Sequence, residues 1–445
     1  MSKKIFFTTL ASGNGFISKS VISFLVKISG AVSTYFFLIF FSRQLGAEQF
    51  GVFAFILSAA NFGMFALSLG QPMLTMRNIS ASIGVKDYSK ARGALLFGVV
   101  VLSLGIIAAL ILFPLFGYFS AKFGAPGNIY EYLAGAALLI TLMIADFNSN
   151  VLRSFGSVAI ALAPRDLIWR ILAPLVAVLM VYNNIYIDTR TALWINAVVL
   201  GGLVVIQFVY LFAKVGKEFG RIKGEYILEK KKWFYSSMNF WGILITSGIT
   251  QHLMIVAVGF SLAPEDVGVF FVAYRTASLL SMPLNASELV MAPMIARHYA
   301  EGKLTELSKV FRLFSIMAIV PTFIGFIIFS IWGDWILKLI NPSYANAGHL
   351  LTILAAGFFV NTMTGPCGYV MLMSKGEKTY LKISMTINIA SVVLVGIVAF
   401  WGMIPSAFLL SIAIVAQNLI VAAWCRKNLN IETTVATLWT YKKSL

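Results

Sequence analysis

Charge is what this sequence has least of. Asp, Glu, Lys and Arg make up only 11% of its 445 residues, where a soluble domain carries about 25%. So few charges cannot cover a water-facing surface, which excludes a cytosolic enzyme, a secreted disulfide scaffold and a disordered chain. Cysteine is nearly absent too. Cys367 and Cys425 are the only two; they lack CxxC spacing and read as small buried hydrophobes. The three histidines, His252, His298 and His349, are scattered and make no metal-ligand cluster. No glycine-rich phosphate loop is present, so ATP is not expected to drive this chain, and no cofactor is expected.

Apolar mass stands in place of charge: 59% of the residues are hydrophobic and the mean hydropathy is +0.88. A bilayer core about 30 Å thick needs about 20 apolar residues per helix. Such stretches occur near 20–41, 50–74, 94–117, 130–152, 164–183 and 191–213. They continue near 233–260, 269–295, 311–332, 347–373, 381–401 and 403–424. The fifth is taken to begin at Pro164, since proline suits the first helical position. Runs this long exclude an outer-membrane barrel, whose strands of about ten residues alternate apolar with polar. The expected fold is an all-α integral membrane protein of twelve transmembrane helices.

Basic residues outnumber acidic ones by 34 to 17, and their placement is uneven. Loops after odd-numbered spans hold only Arg43, Lys122, Arg190 and Lys338, while Lys27 and Arg275 fall within spans. The rest lie at the termini, in the even-numbered loops or in the first turns of the spans beside those loops, which predicts that both termini are cytoplasmic. The net charge of +17 is then a topology signal and an attraction to anionic membrane lipids, not a nucleic-acid footprint. The apolar run 5–10 is too short for a signal peptide; residues 1–19 are expected to lie along the inner membrane surface.

The second half repeats the first. LGAEQFGVF at 45–53 matches LAPEDVGVF at 262–270, pairing Glu48, Gly51, Val52 and Phe53 with Glu265, Gly268, Val269 and Phe270. Pro72-Met73 parallels Pro293-Met294, Arg77 parallels Arg297, and Gly156 parallels Gly376. With six helices each, the halves form parallel repeats, an arrangement that places binding sites near the membrane midplane. The expected lobes are residues 20–213 and 233–424, joined by a basic cytoplasmic linker at 214–232 and followed by a cytoplasmic tail at 425–445.

Helical spacing gathers polar residues into stripes. The first span aligns Ser20, Ser23, Lys27, Gly30 and Thr34; the second aligns Ser58, Asn61 and Ser68. The seventh offers Ser236, Asn239, Thr246 and Thr250, and the eighth Ser278, Ser281, Asn285 and Glu288. These stripes either line a polar cavity or let helices pack and bond to one another. A charge at the bilayer centre costs at least about 2.5–3.5 kcal/mol, so ionisable residues there are functional or paired. Lys27 and Arg275 either face a substrate or snorkel to an interface. Asp146, Asn150 and Arg153 share a face, and Asp146 reaches Arg153 only through an intermediate group. Glu288 has no basic residue three or four positions away and is a candidate proton carrier. Arg165, Asp166 and Arg170 read as a headgroup-level anchor, with Asp166 and Arg170 at ion-pair spacing. Arg77 and Arg297 end equivalent spans on the cytoplasmic side. Pro283 interrupts the eighth span's stripe and favours a bend there.

The segment RQLGAEQFGVFAF at 43–55, the six-helix halves and the basic cytoplasmic face resemble the O-antigen and polysaccharide flippases. These belong to the multidrug, oligosaccharidyl-lipid and polysaccharide exporter superfamily. The resemblance implies two six-helix lobes forming a V, with the first, second, seventh and eighth helices lining a central cavity. It implies transfer of an undecaprenyl-diphosphate-linked oligosaccharide from the inner to the outer leaflet of the bacterial cytoplasmic membrane, without chemical conversion. Polysaccharide polymerase and chain-length regulator proteins are then implied partners. In that frame Lys27, Arg275 and Arg153 are candidates for the diphosphate, and Ser23, Thr34, Asn61, Asn239, Thr246 and Asn285 for sugar. Asp146 and Glu288 are candidates for coupling to H+ or Na+, and Arg77, Arg297 and Arg170 for the cytoplasmic entrance. The alternative is a drug or organic-cation antiporter of the same superfamily, which acidic cavity residues favour and intramembrane Lys27 and Arg275 oppose.

Overall fold

The computed structural model describes residues 14–219, 226–300, 304–374 and 376–435, and every regular element among them is helical. Among the described residues nine helices are long and apolar enough to cross a bilayer, or ten counting the bent pair Gly348–Met363 and Cys367–Met373. Each of the twelve apolar stretches falls on helix.

The first two stretches form one helix, α1 (Asn14–Leu67), broken only at Gly46 with φ 76° and ψ 171°. Straight, its 54 residues would extend about 81 Å, more than twice the hydrocarbon core. Gly46 has the positive φ that a Cβ disfavours, which places the break there. After α2 (Gln71–Gly84) and α3 (Tyr88–Lys122), α4 (Ile129–Ser154) starts from a capping box. Asn128 accepts from the backbone N–H groups of Tyr130 and Glu131, while Glu131 accepts from that of Asn128. Such caps contribute about 0.5–2 kcal/mol and fix where a helix begins.

Pro164 does not open the fifth stretch, contrary to expectation. The helix begins earlier, as α5 (Val158–Ala163), widens into a π-turn (Pro164–Ile168) and continues as α6 (Trp169–Tyr182). A proline inside a helix leaves the carbonyl four residues earlier without a donor. Gln207, on α7 (Thr189–Phe219), supplies it: Nε2 donates to Ile160 O at 2.9 Å and to Ala161 O at 3.1 Å. Elsewhere a π-turn (Ile249–Leu253) separates α8 (Lys230–Gly248) from α9 (Met254–Gly259). A 3₁₀ turn (Leu279–Ser281) separates α10 (Pro264–Ser278) from α11 (Met282–Ala300), just ahead of Pro283. The remaining helices are α12 (Leu304–Ile340), α13 (Gly348–Met363), α14 (Cys367–Met373), α15 (Glu377–Val398) and α16 (Met403–Leu429).

The chain packs as two compact units. One comprises residues up to Gly46, Ile56–Phe123 and Gly127–Gly248; the other comprises Ala47–Phe55, Gly124–Pro126 and the chain from Ile249 onward. Within the first, α3 shows the logic of a lipid-facing helix. Its outer face exposes Val100, Leu104, Ile107, Ile111 and Leu115. Its inner face, Gly98, Leu102, Gly105, Ala109 and Gly117, is small and buried. A Cβ at Gly98 or Gly105 would strike Phe147 or Met143 of α4 at 3.0 Å, so the small residues let the helices touch. In the second unit a buried apolar cluster joins Met291, Phe311, Cys367, Val370, Val421 and Cys425. Both cysteines are free and buried, as small hydrophobes would be.

Candidate functional site

The first unit gathers ionisable residues where α4, the π-turn, α6 and α1 meet. Asp146 lies about 12 Å from the end of α4 at Ser154, at 1.5 Å rise per residue. Arg165 donates to it from the π-turn through Nη1, and its Nε lies 3.3 Å from Asp166 Oδ1. The three side chains are 15–25% exposed, so one guanidinium serves two carboxylates largely out of water. Arg170 Nη1 donates to Thr34 Oγ1 at 2.6 Å, and to the carbonyls of Gly30 and Asp166 at 3.3 Å. Gly30 admits this approach, since a Cβ there would sit 2.6 Å from Asp166 O.

The expected neighbours change in an instructive way. Asp146 pairs with Arg165, not Arg153. The intermediate group joining Asp146 and Arg153 is Asn150, whose Nδ2 lies 3.5 Å from Asp146 Oδ1 and whose Oδ1 lies 3.4 Å from Arg153 Nη1. Asp166 and Arg170 do not form the ion pair that their spacing suggests. Asp166 lies in the π-turn and Arg170 on α6, and Arg170 meets Asp166 at its backbone carbonyl. The carboxylate of Asp166 turns to Arg165, and Arg170 reaches α1. Arg165 is held by Asp146 of α4. The spacing argument missed Arg165 as a site residue; Pro164 beside it was the available signal of a disturbed helix.

Several stripe residues bond to their own helices. Thr34 donates to Gly30 O, Asn61 to Leu57 O, Thr246 to Gly242 O and Ser278 to Arg275 O, at 2.6–2.9 Å. That is the packing role expected of such groups in lipid. Asn239 and Asn285 are exposed. Arg77 is exposed as well and lies over the Phe240 ring, its Cζ 4.9 Å from the centroid. The side chains of Ser23, Lys27 and Arg297 lie outside the described residues.

The second unit is built differently. Arg275 Nη2 lies 3.2 Å from His252 Nδ1 of the π-turn, with its Cζ 5.4 Å from the Phe271 ring centroid. Its guanidinium is thus engaged by other residues of the same unit. Tyr274 Oη beside it donates to Thr250 O at 2.7 Å. Glu288, on α11, is half-buried and lies within electrostatic reach of Cys367, Tyr369 and Tyr380. No salt bridge joins Glu288 to another described residue. Among the described residues no group of His, Cys, Asp and Glu is arranged to hold a metal ion.

No family model matches this sequence, and no curated protein does. Solved structures match over nearly the whole chain. An inward-facing multidrug resistance MATE family transporter of the MOP superfamily aligns with a TM-score of 0.74 at 12% identity, covering 92% of this chain and 98% of that one. A Vibrio cholerae MATE transporter aligns with a TM-score of 0.65 at 15% identity, covering 94% and 98%. A MOP superfamily transporter from Pyrococcus furiosus, whose reversed binding-pocket polarity has been taken to suggest a different function, aligns with a TM-score of 0.54 at 13% identity, covering 93% of each chain. The chain shares its all-helical membrane fold with these transporters.

Proposed function

We propose that this protein moves an anionic, sugar-bearing lipid across the bacterial cytoplasmic membrane by ion-coupled alternating access. The substrate class is an undecaprenyl-diphosphate-linked oligosaccharide, carried from the inner to the outer leaflet without chemical conversion. The observation that supports this reading is the sign of the charge in the first unit. Arg153, Arg165 and Arg170 outnumber Asp146 and Asp166 in this cluster, and arginine is the residue suited to bidentate contact with phosphate. A diphosphate and its sugars cannot cross hydrocarbon unaided. The hydroxyl and amide groups of Thr34, Asn150 and Asn239 supply further polar contacts, and Lys27 and Arg275 are the remaining diphosphate candidates. Asp146 and Glu288 are the coupling candidates, taking up H+ or Na+.

The test is depletion of the gene in its source bacterium, followed by measurement of surface polysaccharide and of the membrane pool of polyprenyl-diphosphate oligosaccharide. Loss of the first with accumulation of the second is expected. The second reading is an organic-cation antiporter, favoured by Glu288, which has no ion-pair partner among the described residues. If both pools stay unchanged in a strain without another flippase while cationic dye accumulates on depletion, that second reading replaces the first.

A further inference from the structure

The two copies of the repeated motif do more than mark a duplication; they pack against each other. Residues 47–55 lie within α1, yet they belong to the unit that begins at Ile249, whereas α1 up to Gly46 and from Ile56 belongs to the other unit. What holds 47–55 there is the second copy. A Cβ at Gly51 would overlap the carbonyl oxygen of Pro264, the first residue of α10. A Cβ at Gly268 would lie 3.4 Å from the carbonyl oxygen of Ala47 and 3.3 Å from Phe50 Cδ1. Gly51 and Gly268 are equivalent in the repeat, and so are Ala47 and Pro264, at the same offset of 217. Each copy therefore offers its glycine to the carbonyl at the same position of the other copy.

Aromatic rings close around this backbone contact. Phe50, Phe53 and Phe55 are fully buried; Phe50 packs on Phe271 at 6.3 Å between centroids, and Phe55 on Phe260 at 5.9 Å. No backbone hydrogen bond joins 47–55 to 259–271 among the described residues. Close backbone and ring packing makes this contact, so its parting breaks no backbone ladder. At one end the segment leaves through Gly46, whose φ of 76° interrupts the helix. A joint at one end and a separable contact along the length are the parts of a clasp.

We propose that Gly51 and Gly268, each against the carbonyl of the other copy, form a releasable clasp that parts and recloses during the transport cycle. Glycine is required at Gly51, because only a residue without a Cβ lets its backbone touch that of Pro264; at Gly268 the tight neighbours of a Cβ are the side chains of Tyr344 and Phe50, with the Ala47 carbonyl in ordinary contact. The inference goes beyond the identity of the substrate and rests only on the chain being a transporter that changes conformation.

The test uses the full chain in lipid nanodiscs, with Cys367→Ala and Cys425→Ala removing the native thiols. Ala54, buried within the segment, is replaced as Ala54→Cys and reports opening through its rate of labelling by a soluble maleimide. Slow labelling is expected with Gly51 present, and Gly51→Leu should raise the rate by about ten-fold or more by shifting the population toward the parted state. A second variant adds Phe50→Cys and Phe271→Cys, whose native rings meet across the contact. Oxidation should join these two and stop the labelling of Ala54→Cys, and reduction should restore it. If a monodisperse Gly51→Leu protein labels no faster, the proposal is overturned. If Gly51→Leu does not fold, the locked pair decides: labelling at Ala54→Cys that is the same before and after reduction overturns it equally.

Discussion

The two units treat buried charge in opposite ways. The first satisfies it: Arg165 bridges Asp146 and Asp166, Asn150 links Asp146 to Arg153, and Arg170 is held by Thr34 and two carbonyls. The second places Arg275 against a histidine, and its carboxylate Glu288 has no salt bridge to a described residue. A paired network resists change because breaking it strands a charge. A lone carboxylate is free to take up and release a cation. The first unit is built to hold charge in place, and the second has the group suited to exchanging it.

The sharpest way to break that contrast is at Arg165. Arg165→Met leaves Asp146 and Asp166 unpaired, and removing one partner of a buried pair costs roughly 3–5 kcal/mol. Thermal unfolding in detergent should show the largest loss of any single substitution in the network. The double variant Arg165→Met with Asp146→Asn should recover part of that loss, since it removes a stranded carboxylate. Equal losses in the single and double variants would mean the pair does not act as a unit. Gly70 comes next: its φ is 71°, and a Cβ would sit 2.5 Å from Ser237 O. Gly70→Ala should cost about 1–3 kcal/mol through backbone strain and overpacking, read as a lower unfolding midpoint.

Glu288 supplies the other side of the comparison. Glu288→Gln keeps the shape and removes the charge, and its effect on stability is expected within about 0.5 kcal/mol. The dependence of transport on the proton or sodium gradient should fall in that variant, while Arg165→Lys, which keeps the charge, retains it. Unfolding midpoints and gradient dependence measured on the same preparations separate the two roles. A Glu288→Gln protein as unstable as Arg165→Met would remove the distinction between the units.

What the sequence made legible divides along physical lines. The apolar stretches were readable because composition alone decides whether a helix can lie in hydrocarbon, and each one is helical. The break at Gly46 inside α1 was not, because a loop of seven or eight polar and small residues reads the same whether it unwinds or stays helical. At the candidate site, Asp146, Asn150 and Arg153 could be placed on one face, since they share a regular helix. Arg165 could not be paired with Asp146, because they lie on different helices and a spacing rule sees only one. The same rule did not show that the Asp166 carboxylate meets Arg165, its immediate neighbour in the π-turn, while Arg170 meets the Asp166 carbonyl. Sequence periodicity carries information as far as the helix stays regular, and the site lies where it does not.

The smallest expected effect lies outside the membrane, where the chain enters α8. Glu229 precedes that helix and accepts from Lys90 Nζ of α3 at 2.7 Å, with Lys232 at 3.4 Å. The hydrogen bond from Lys90 holds the Glu229 carboxyl below its ordinary pKa, with Lys232 adding to it. Trp233 then packs on Phe97, with centroids 5.7 Å apart, and Gln71 Nε2 donates to Ser237 Oγ at 2.7 Å. These contacts strap the start of α8 to the first unit. Because the folded pKa is depressed, the contribution of Glu229 is present above the ordinary carboxylate value and is lost as pH falls through the folded value. Limited proteolysis near residues 226–229 should therefore quicken as pH drops below the usual carboxylate range, with a protease active there. Lys90→Met should give the fast rate already at neutral pH and flatten the dependence. Since the pair is open to water, added salt should weaken it in the wild type, whereas the packing of Trp233 on Phe97 should be indifferent to salt. A strap that stays equally protected at low pH, at high salt and in Lys90→Met would be held by Trp233 and Ser237 alone, with the ion pair contributing nothing.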